Sequence, residues 1–197
     1  MKILLATNNK KKYKEVKEIF SSLNIDIVTP EILNINFEVE ETGTSFKENA
    51  ALKSEELFRI TKLPSLADDS GICVNALNGA PGIYSARYGT ADLDDRGRAE
   101  FLLDKMKEIK DREAYYHCAL AFTNKNGTFF IEDQCHGLIS EAYDEKGIYG
   151  FGYDPIFYYP PYDNLFSKVN LEDKNKVSHR GKALLTFYQN FKNGRYE

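Results

Sequence analysis

The chain has 197 residues, of which 42% are hydrophobic and 28% charged, a balance that predicts one compact globular domain with a sizeable core. Its net charge of −4 argues against a protein that binds nucleic acid, because such proteins carry a basic face for the phosphate backbone. The three cysteines form no CxxC pair, and no apolar run is long enough for a signal peptide or a membrane span, so we expect a soluble, cytoplasmic protein with buried thiols and no membrane partner.

The N-terminal region predicts alternating strands and helices. Lys2–Ala6 is a short apolar run typical of a buried strand, and apolar residues at helical spacing follow from about Lys11 to Leu23. Ile25–Pro30 then has the pattern of a second strand. A strand, a helix and a strand in this order indicate a βαβ crossover and the α/β class.

A second helix is predicted from Ser45 to about Ile60. Ser45 and Glu48 have the spacing of a capping box. The predicted inward face carries Phe46, Ala50, Leu57 and Ile60. Lys53 lies on the same stripe, where it either extends its stem along the edge of the core or serves a binding site. The spacing alone leaves both possibilities open.

Two adjacent acids, Asp68 and Asp69, follow a short apolar run and precede Ser70–Gly71. This pattern predicts a strand that ends at the acids and opens into a tight turn. Because neighbouring carboxylates repel each other, a bound cation would explain the pair. Together with the acidic loop Glu40–Glu41, the pair would offer oxygen ligands to Mg²⁺ or Mn²⁺ if the two loops converge. The alternative is two acidic turns at the surface.

The C-terminal half predicts helices around an antiparallel hairpin. Apolar residues between Leu102 and Ile109 have helical spacing. Tyr115–Thr123 and Thr128–Ser140 are rich in strand-forming residues and are joined by Asn124–Gly127, a strong hairpin signal. A last helix is predicted after Ser178. The hairpin makes the predicted sheet mixed.

The polar loop Thr7–Lys12 lies between the first predicted strand and helix. Its hydroxyl, amide and ammonium donors would meet the positive end of the helix dipole, an arrangement that suits a phosphate. The loop is not a Walker motif, because the pattern GxxxxGK[ST] is absent from it. The alternative is a polar turn with solvated lysines.

Two further segments have residues suited to binding a base. In Gly150–Phe157 the glycines allow a close backbone approach, Phe151 and Tyr153 could stack on a ring, and Asp154 could accept hydrogen bonds. The alternative for this segment is a β-bulge or a kinked strand. Ser178–Gly181 begins the last predicted helix, where a helix start can bind an anion or contact base edges.

Six segments in this order resemble the inosine triphosphate pyrophosphatase family: ATNNKKK, EETGTSFKENAALK, LADDSG, GAPGIYSARY, GFGYDPIF and KVSHRGKAL. The resemblance extends from Lys2 to about Leu185. It implies a single two-lobed domain over residues 1–197, with a long central mixed sheet, an active-site cleft between the lobes and usually a homodimer. It also implies conversion of purine nucleoside triphosphates (dITP, ITP or XTP) to the monophosphate and pyrophosphate, with Mg²⁺ as cofactor.

The resemblance also implies the roles of individual residues. Glu40 and Asp69 match the metal-binding acids, and Asp69 matches the general base; no role follows for Asp68 or Glu41. The triphosphate would contact the loop residues Thr7, Asn8, Asn9, Lys10, Lys11 and Lys12 together with Lys53. The rest of the nucleotide would contact Ser70, Phe151, Gly152, Tyr153, Asp154, Lys174, His179 and Arg180. Many family members have glycine at the position of Asn8, and asparagine tolerates a left-handed turn well enough for the loop to survive.

The expected mechanism has a water attack the α-phosphorus, a position inferred from the family. Asp69 or the metal would activate the water, and Lys12 and Lys53 would offset charge on the leaving pyrophosphate. Donors from His179 or Arg180 would favour the 6-carbonyl of hypoxanthine or xanthine over the amino group of adenine. Two alternatives stay open: a non-catalytic purine nucleotide sensor, and a pyrophosphatase for dUTP or modified pyrimidines.

Overall fold

The computed structural model describes residues 2–21 and 25–196. The helices are α1 (Lys10–Ser21), α2 (Phe46–Thr61), α3 (Asp95–Lys105), α4 (Leu171–Val177) and α5 (His179–Lys192). The strands are β1 (Lys2–Leu5), β2 (Asp26–Val28), β3 (Ser65–Val74), β4 (Glu113–Asn124), β5 (Gly127–Ile139), β6 (Phe157–Tyr159) and β7 (Asn164–Leu165). The predicted end of the first helix at Leu23 lies outside the described residues.

The strands of the described chain form one open mixed sheet in the order β2-β1-β3-β4-β5-β6-β7. β1 pairs in parallel with β2 and β3, as the predicted crossover requires. β6 pairs antiparallel with β5 and β7. The hairpin signal is confirmed, because β4 and β5 are neighbours and Gly127 has a φ of 126°, which favours glycine. The predicted mixed α/β class is therefore confirmed.

The chain divides into two compact units. Unit 1 comprises Met1–Asp69, Cys118–Asp133 and Arg180–Glu197, and unit 2 comprises Ser70–His117 and Gln134–His179. In unit 1, one hydrophobic cluster joins α1, α5 and the sheet, and a smaller cluster lies beneath α2. In unit 2, a cluster of aromatic and aliphatic side chains joins α3 to β4, β5 and β6. Each unit thus has a hydrophobic core of its own.

β3 corrects the prediction for the acid pair. The strand runs from Ser65 to Val74, and both Asp68 and Asp69 lie buried in its middle. The predicted strand end and the tight turn at Ser70–Gly71 are therefore wrong. The physical reason is that cationic side chains from three helices neutralise the two carboxylates, so the strand continues through them.

α2 largely follows its predicted pattern. The Ser45 hydroxyl accepts a hydrogen bond from the Glu48 N–H at 3.1 Å, which confirms the N-terminal cap. The Glu48 carboxylate accepts from the Thr44 N–H at 2.6 Å, one residue further back than in the usual capping box. Ile60 is 44% exposed, so its predicted inward position is wrong. It lies in the last turn, just before Lys62 ends the helix in a left-handed conformation.

Two other helices differ from the sequence pattern. α3 ends at Lys105, so Met106 and Ile109 follow it, although both pack on the core of unit 2. α4 was not predicted, because its sequence LEDKNKV is short and mostly polar. The three cysteines are buried and form no disulfide, as expected. None of the described helices has the length and apolar character needed to cross a bilayer.

Candidate active site

The loop between β1 and α1 forms a capped helix start. The Asn9 carboxamide oxygen accepts from the N–H groups of Lys11 and Lys12 at 2.9 and 3.1 Å. The Thr7 hydroxyl accepts from the Asn9 N–H at 3.1 Å, which fixes the turn before the helix. Asn9 therefore caps the start of α1, and the polar loop before it lies at the positive end of the helix dipole.

The remaining loop residues are held at the surface. The Asn8 carboxamide donates to the Phe37 carbonyl at 2.9 Å, and the Asn8 backbone is not in the left-handed region. Asparagine therefore fits this position without the conformation that glycine favours. Lys10 and Lys11 are exposed. The predicted anion-binding loop thus has lysine side chains that face solvent beside a helix start.

Asp68 is neutralised by two cations. Its Oδ1 accepts from the Lys12 ammonium at 2.7 Å, and its Oδ2 accepts from Arg180 Nε at 2.6 Å. Arg180 Nη1 in turn donates to the Glu15 carboxylate. Burial alone would raise the pKa of the Asp68 carboxyl, but Arg180 and Lys12 hold it well below its ordinary value. Asp68 is therefore an ionised, fully buried carboxylate.

Asp69 has different surroundings. The Lys53 ammonium donates to Asp69 Oδ1 at 3.1 Å, to Glu41 Oε1 at 2.9 Å and to the Asp68 carbonyl at 3.0 Å. Burial would lower the pKa of Lys53, but Asp69 and Glu41 raise it above its ordinary value. Burial raises the pKa of Asp69, and Glu41 adds to this, although Lys53 and Lys12 oppose it. The Lys53 ammonium thus donates hydrogen bonds to two carboxylates.

The two acids face opposite sides of the sheet. Successive side chains of a strand alternate between its faces. Leu66 packs in the cluster that contains α1 and α5 residues, whereas Ala67 packs in the cluster that contains Leu57 of α2. Asp68 accordingly contacts α1 and α5, and Asp69 contacts α2. The two adjacent acids therefore have different side-chain hydrogen-bond partners, although the ammonium groups of Lys12 and Lys53 both contact the Asp68 carbonyl oxygen.

The donor set around Asp69 suits a metal ion that arrives with phosphate. Asp69 Oδ2 is buried and has no hydrogen-bond partner within the described residues. Among residues 2–21 and 25–196, no three carboxylate, imidazole or thiol side chains are grouped so as to hold a metal. Mg²⁺ in proteins commonly uses one or two carboxylates and completes its shell with water and phosphate oxygens. The residues present fit that type of site and not a preformed protein cage.

The glycine-rich segment of unit 2 is organised by Asp154. Its carboxylate accepts from the Phe151 N–H and the Lys174 ammonium, each at 2.7 Å, and from the Tyr116 hydroxyl at 3.2 Å. A short 3₁₀ turn at Asp154–Ile156 then leads into β6. Asp154 thus accepts hydrogen bonds from protein groups, and its predicted part in binding a nucleotide stays a prediction.

The residues beside Asp154 differ in how far they are exposed. Tyr153 is buried in the core of unit 2, and its hydroxyl donates to the Ser85 carbonyl at 2.8 Å. Stacking of Tyr153 on a base stays a prediction, and the buried position of the ring does not favour it. Phe151 is half-buried, with the Lys174 ammonium 5.3 Å from the centre of its ring. Gly152 has a φ of 61°, a conformation that other residues rarely adopt.

The start of α5 is buried as well. The His179 ring stacks on Tyr116, with 4.7 Å between centroids and 9° between planes. The Arg180 guanidinium is occupied by Asp68 and Glu15. Base recognition by His179 and Arg180 therefore stays a prediction, since both side chains already have protein partners.

Sequence reasoning missed two residues of these networks, Glu15 and Tyr116. Glu15 lies three residues after Lys12 on α1 and is buried. The sequence carried a signal for Glu15, because this acid directly precedes Val16 of the predicted inward stripe. A charge beside the inward stripe of a helix needs a partner. Tyr116 gave no such signal, because tyrosine is common in strands.

Comparison with known proteins gives concordant results. The family model described as the Ham1 family matches residues 3–190. A dITP/XTP pyrophosphatase of Leptospira interrogans is 55% identical over 182 residues, which are 92% of this chain and 92% of that protein. A dITP/XTP pyrophosphatase of Treponema denticola is 43% identical over 190 residues, which cover 94% of this chain and 96% of that protein.

Solved structures agree with the sequence relatives. The structure of a HAM1 protein from Coxiella burnetii superposes with a TM-score of 0.88 and 34% identity, covering 98% of this chain and 99% of that chain. The Ham1 protein of Staphylococcus aureus gives a TM-score of 0.85 and 37% identity, covering 99% of this chain and 100% of that chain. The similarity thus extends over nearly the whole chain in sequence and in fold.

Proposed function

The chain belongs to the Ham1 family, and we propose that it hydrolyses non-standard purine nucleoside triphosphates (dITP, ITP and XTP) to the monophosphate and pyrophosphate. The resemblance carried by the six motifs is confirmed by this membership. The observation that carries the proposal is Asp69, a buried carboxylate with one oxygen on Lys53 and the other without a partner in the described structure. A non-catalytic sensor is not favoured, because the relatives are named pyrophosphatases.

We propose Mg²⁺ as the cofactor, held by Asp69 and Glu40 together with phosphate oxygens of the substrate. Bound there, the ion would screen the phosphate charges and favour ionisation of a water. The surplus negative charge around Lys53 supports this assignment, since its single ammonium lies between Asp69 and Glu41. Glu40 is exposed and directly precedes Glu41, so its carboxylate is accessible to solvent and ligand.

The protein's own groups would act on the water and on the triphosphate. Asp69, with its raised pKa, would accept the proton from the water that attacks the α-phosphorus. The bond to the bridging oxygen would break, and pyrophosphate would leave. Lys53 would hold the Asp69 carboxylate in position, and Lys12 at the start of α1 would bind the phosphates. This chemistry needs positioned charges and no covalent nucleophile.

We propose that the rest of the nucleotide contacts Ser70, Phe151, Gly152, Tyr153 and Asp154. Lys174, His179 and Arg180 would lie around the base. The half-buried Phe151 ring is the best placed of these to stack on a purine. Asp154 and Lys174 would hold the turn that presents it. A hydrogen-bond donor facing position 6 of the purine would favour binding of hypoxanthine and xanthine, which have a carbonyl there, over adenine, which has an amino group.

The function is tested by a panel of nucleoside triphosphates with Mg²⁺, scored separately for pyrophosphate and for inorganic phosphate. We expect dITP, ITP and XTP to give one pyrophosphate per monophosphate, about 10²-fold faster than ATP, GTP or dUTP in kcat/KM. Chelation of divalent cations should stop the reaction. Release of inorganic phosphate as the first product, or equal rates for all bases, would refute the assignment.

Lys12→Met should weaken triphosphate binding selectively. Loss of a charged hydrogen bond to phosphate is expected to raise the KM for dITP about 10- to 100-fold, while inhibition by dIMP changes about 3-fold at most. Lys14→Met is the matched control, because Lys14 is an exposed lysine of the same helix. Equal losses for dITP and dIMP would remove Lys12 from the phosphate site.

We further propose that the protein acts as a homodimer in the cytoplasm. The homodimer follows from the family resemblance alone, and light scattering of the purified protein would test it. The cytoplasmic location agrees with three buried cysteines that form no disulfide. Fractionation of cells that express the tagged chain would test the location.

A further inference from the structure

Four alternating charges form a row on the α1 and α5 side of β3, in which Glu15, Asp68 and Arg180 are buried and Lys12 is partly exposed. Lys12 pairs with Asp68 at 2.7 Å, Asp68 pairs with Arg180 at 2.6 Å, and Arg180 pairs with Glu15. Two positive and two negative groups make the row neutral. Because Lys12 and Glu15 are three residues apart on α1, the row starts and ends on the same helix. This charge row therefore connects α1, β3 and α5 within unit 1.

The members of the charge row differ in what they can contact. The Asp68 side chain is 1% exposed, whereas that of Lys12 is 16% exposed. The Asp68 side chain is therefore shielded from a ligand, whereas the Lys12 side chain is partly accessible. Within the described chain, Lys12 Nζ donates hydrogen bonds only to Asp68, at Oδ1 and at the main-chain oxygen 3.3 Å away. An ammonium has three N–H donors, so one remains for an anion.

We propose that Asp68 is a positioning residue that sets the place of the Lys12 ammonium before the triphosphate arrives, and that it takes no part in the chemistry at Asp69. The proposal rests on the function assigned above, in which Lys12 binds phosphate. Arg180 and Glu15 complete the arrangement, because they fix the second oxygen of Asp68.

Ordering the Lys12 side chain before binding should raise affinity for the triphosphate, because lysine is flexible. A lysine side chain has many rotamers, and ordering it during binding costs conformational entropy. Asp68 orders Lys12 in the unbound protein and so removes this cost from ligand binding. Asp68 would thus act on affinity for the triphosphate, whereas Asp69, on the opposite face of β3, would act on turnover.

The test compares Asp68→Asn with Glu15→Gln. Each change removes one carboxylate from Arg180, but only Asp68→Asn also removes the partner of Lys12. Binding of a non-hydrolysable dITP analogue should weaken about 10-fold or more in Asp68→Asn and less than about 3-fold in Glu15→Gln. The kcat of Asp68→Asn should stay within about 3-fold of the wild type, with the loss confined to KM.

A double variant keeps the proposal falsifiable if Asp68→Asn alone does not fold. Adding Asp68→Asn to Lys12→Met should cause no further loss of analogue binding, because both changes act through one ammonium. A further loss of more than about 3-fold, wild-type binding by Asp68→Asn, or a fall in its kcat at constant KM would overturn the proposal. If the wild-type protein bound the analogue but released no pyrophosphate, the proposed function would be refuted. The comparison of analogue binding would still test the role of Asp68, because it does not depend on turnover.

Discussion

Asp69→Asn is expected to lower the kcat for pyrophosphate release from dITP by about 10³-fold or more. The amide cannot accept the proton of the attacking water, and it also withdraws a charge from the proposed Mg²⁺ site. The protein should remain folded, because burial already disfavours the charged form of Asp69 and an amide can still accept the Lys53 hydrogen bond. The measurement is pyrophosphate release with Mg²⁺ on protein whose circular dichroism matches that of the wild type.

Asp133→Asn is the matched control for this experiment. Asp133 belongs to the same unit and pairs with Lys182 at 2.9 Å in a partly exposed position. Its amide variant should keep kcat within about 2-fold, since partly exposed ion pairs contribute little. If folded Asp69→Asn kept turnover within 10-fold of the wild type, Asp69 would be neither the base nor a metal ligand.

Arg180→Met should cause the largest loss of stability, about 3–5 kcal/mol in the free energy of unfolding. Arg180 is buried between Asp68 and Glu15, so its removal leaves carboxylates in the core with too little positive charge. Denaturant unfolding at neutral pH measures the change. Lys182→Met on the same helix is the control, and its partly exposed pair with Asp133 predicts a loss of about 0–1 kcal/mol.

The loss of folding stability in Arg180→Met should also depend on pH. In the wild type, the pKa of Asp68 is depressed in the folded state, so its stabilising contribution is full above the unfolded pKa and disappears as pH falls through the folded one. Without Arg180 that depression is reduced, because burial raises the pKa of Asp68 and Lys12 alone then opposes it. The stability gap between variant and wild type should therefore be constant from pH 7 to about pH 4 and narrow as the pH falls below about 4. A gap that keeps its size below about pH 4 would show that the guanidinium stabilises by packing and not by charge.

Local patterns were sufficient for most of the fold. The alternation and helical spacing of apolar residues predicted β1, α1, β2, α2 and the β4–β5 hairpin, because each of these elements buries a continuous apolar face. The Ser45 cap was also predictable from local sequence, because its partner Glu48 is only three residues away. The motifs along the chain also indicated the family.

The position of the acids could not be read from local patterns. Asp68 and Asp69 in sequence favour a turn, because isolated charges are rare within buried strands. Their partners are distant: Lys12 is 56 residues from Asp68, and Arg180 is 112 residues away. The sequence by itself determined which residues are acidic, cationic or apolar, and so the family and the order of elements. Only the tertiary structure decided that the two acids lie on opposite faces of one strand, because the charges that allow their burial come from α1, α2 and α5.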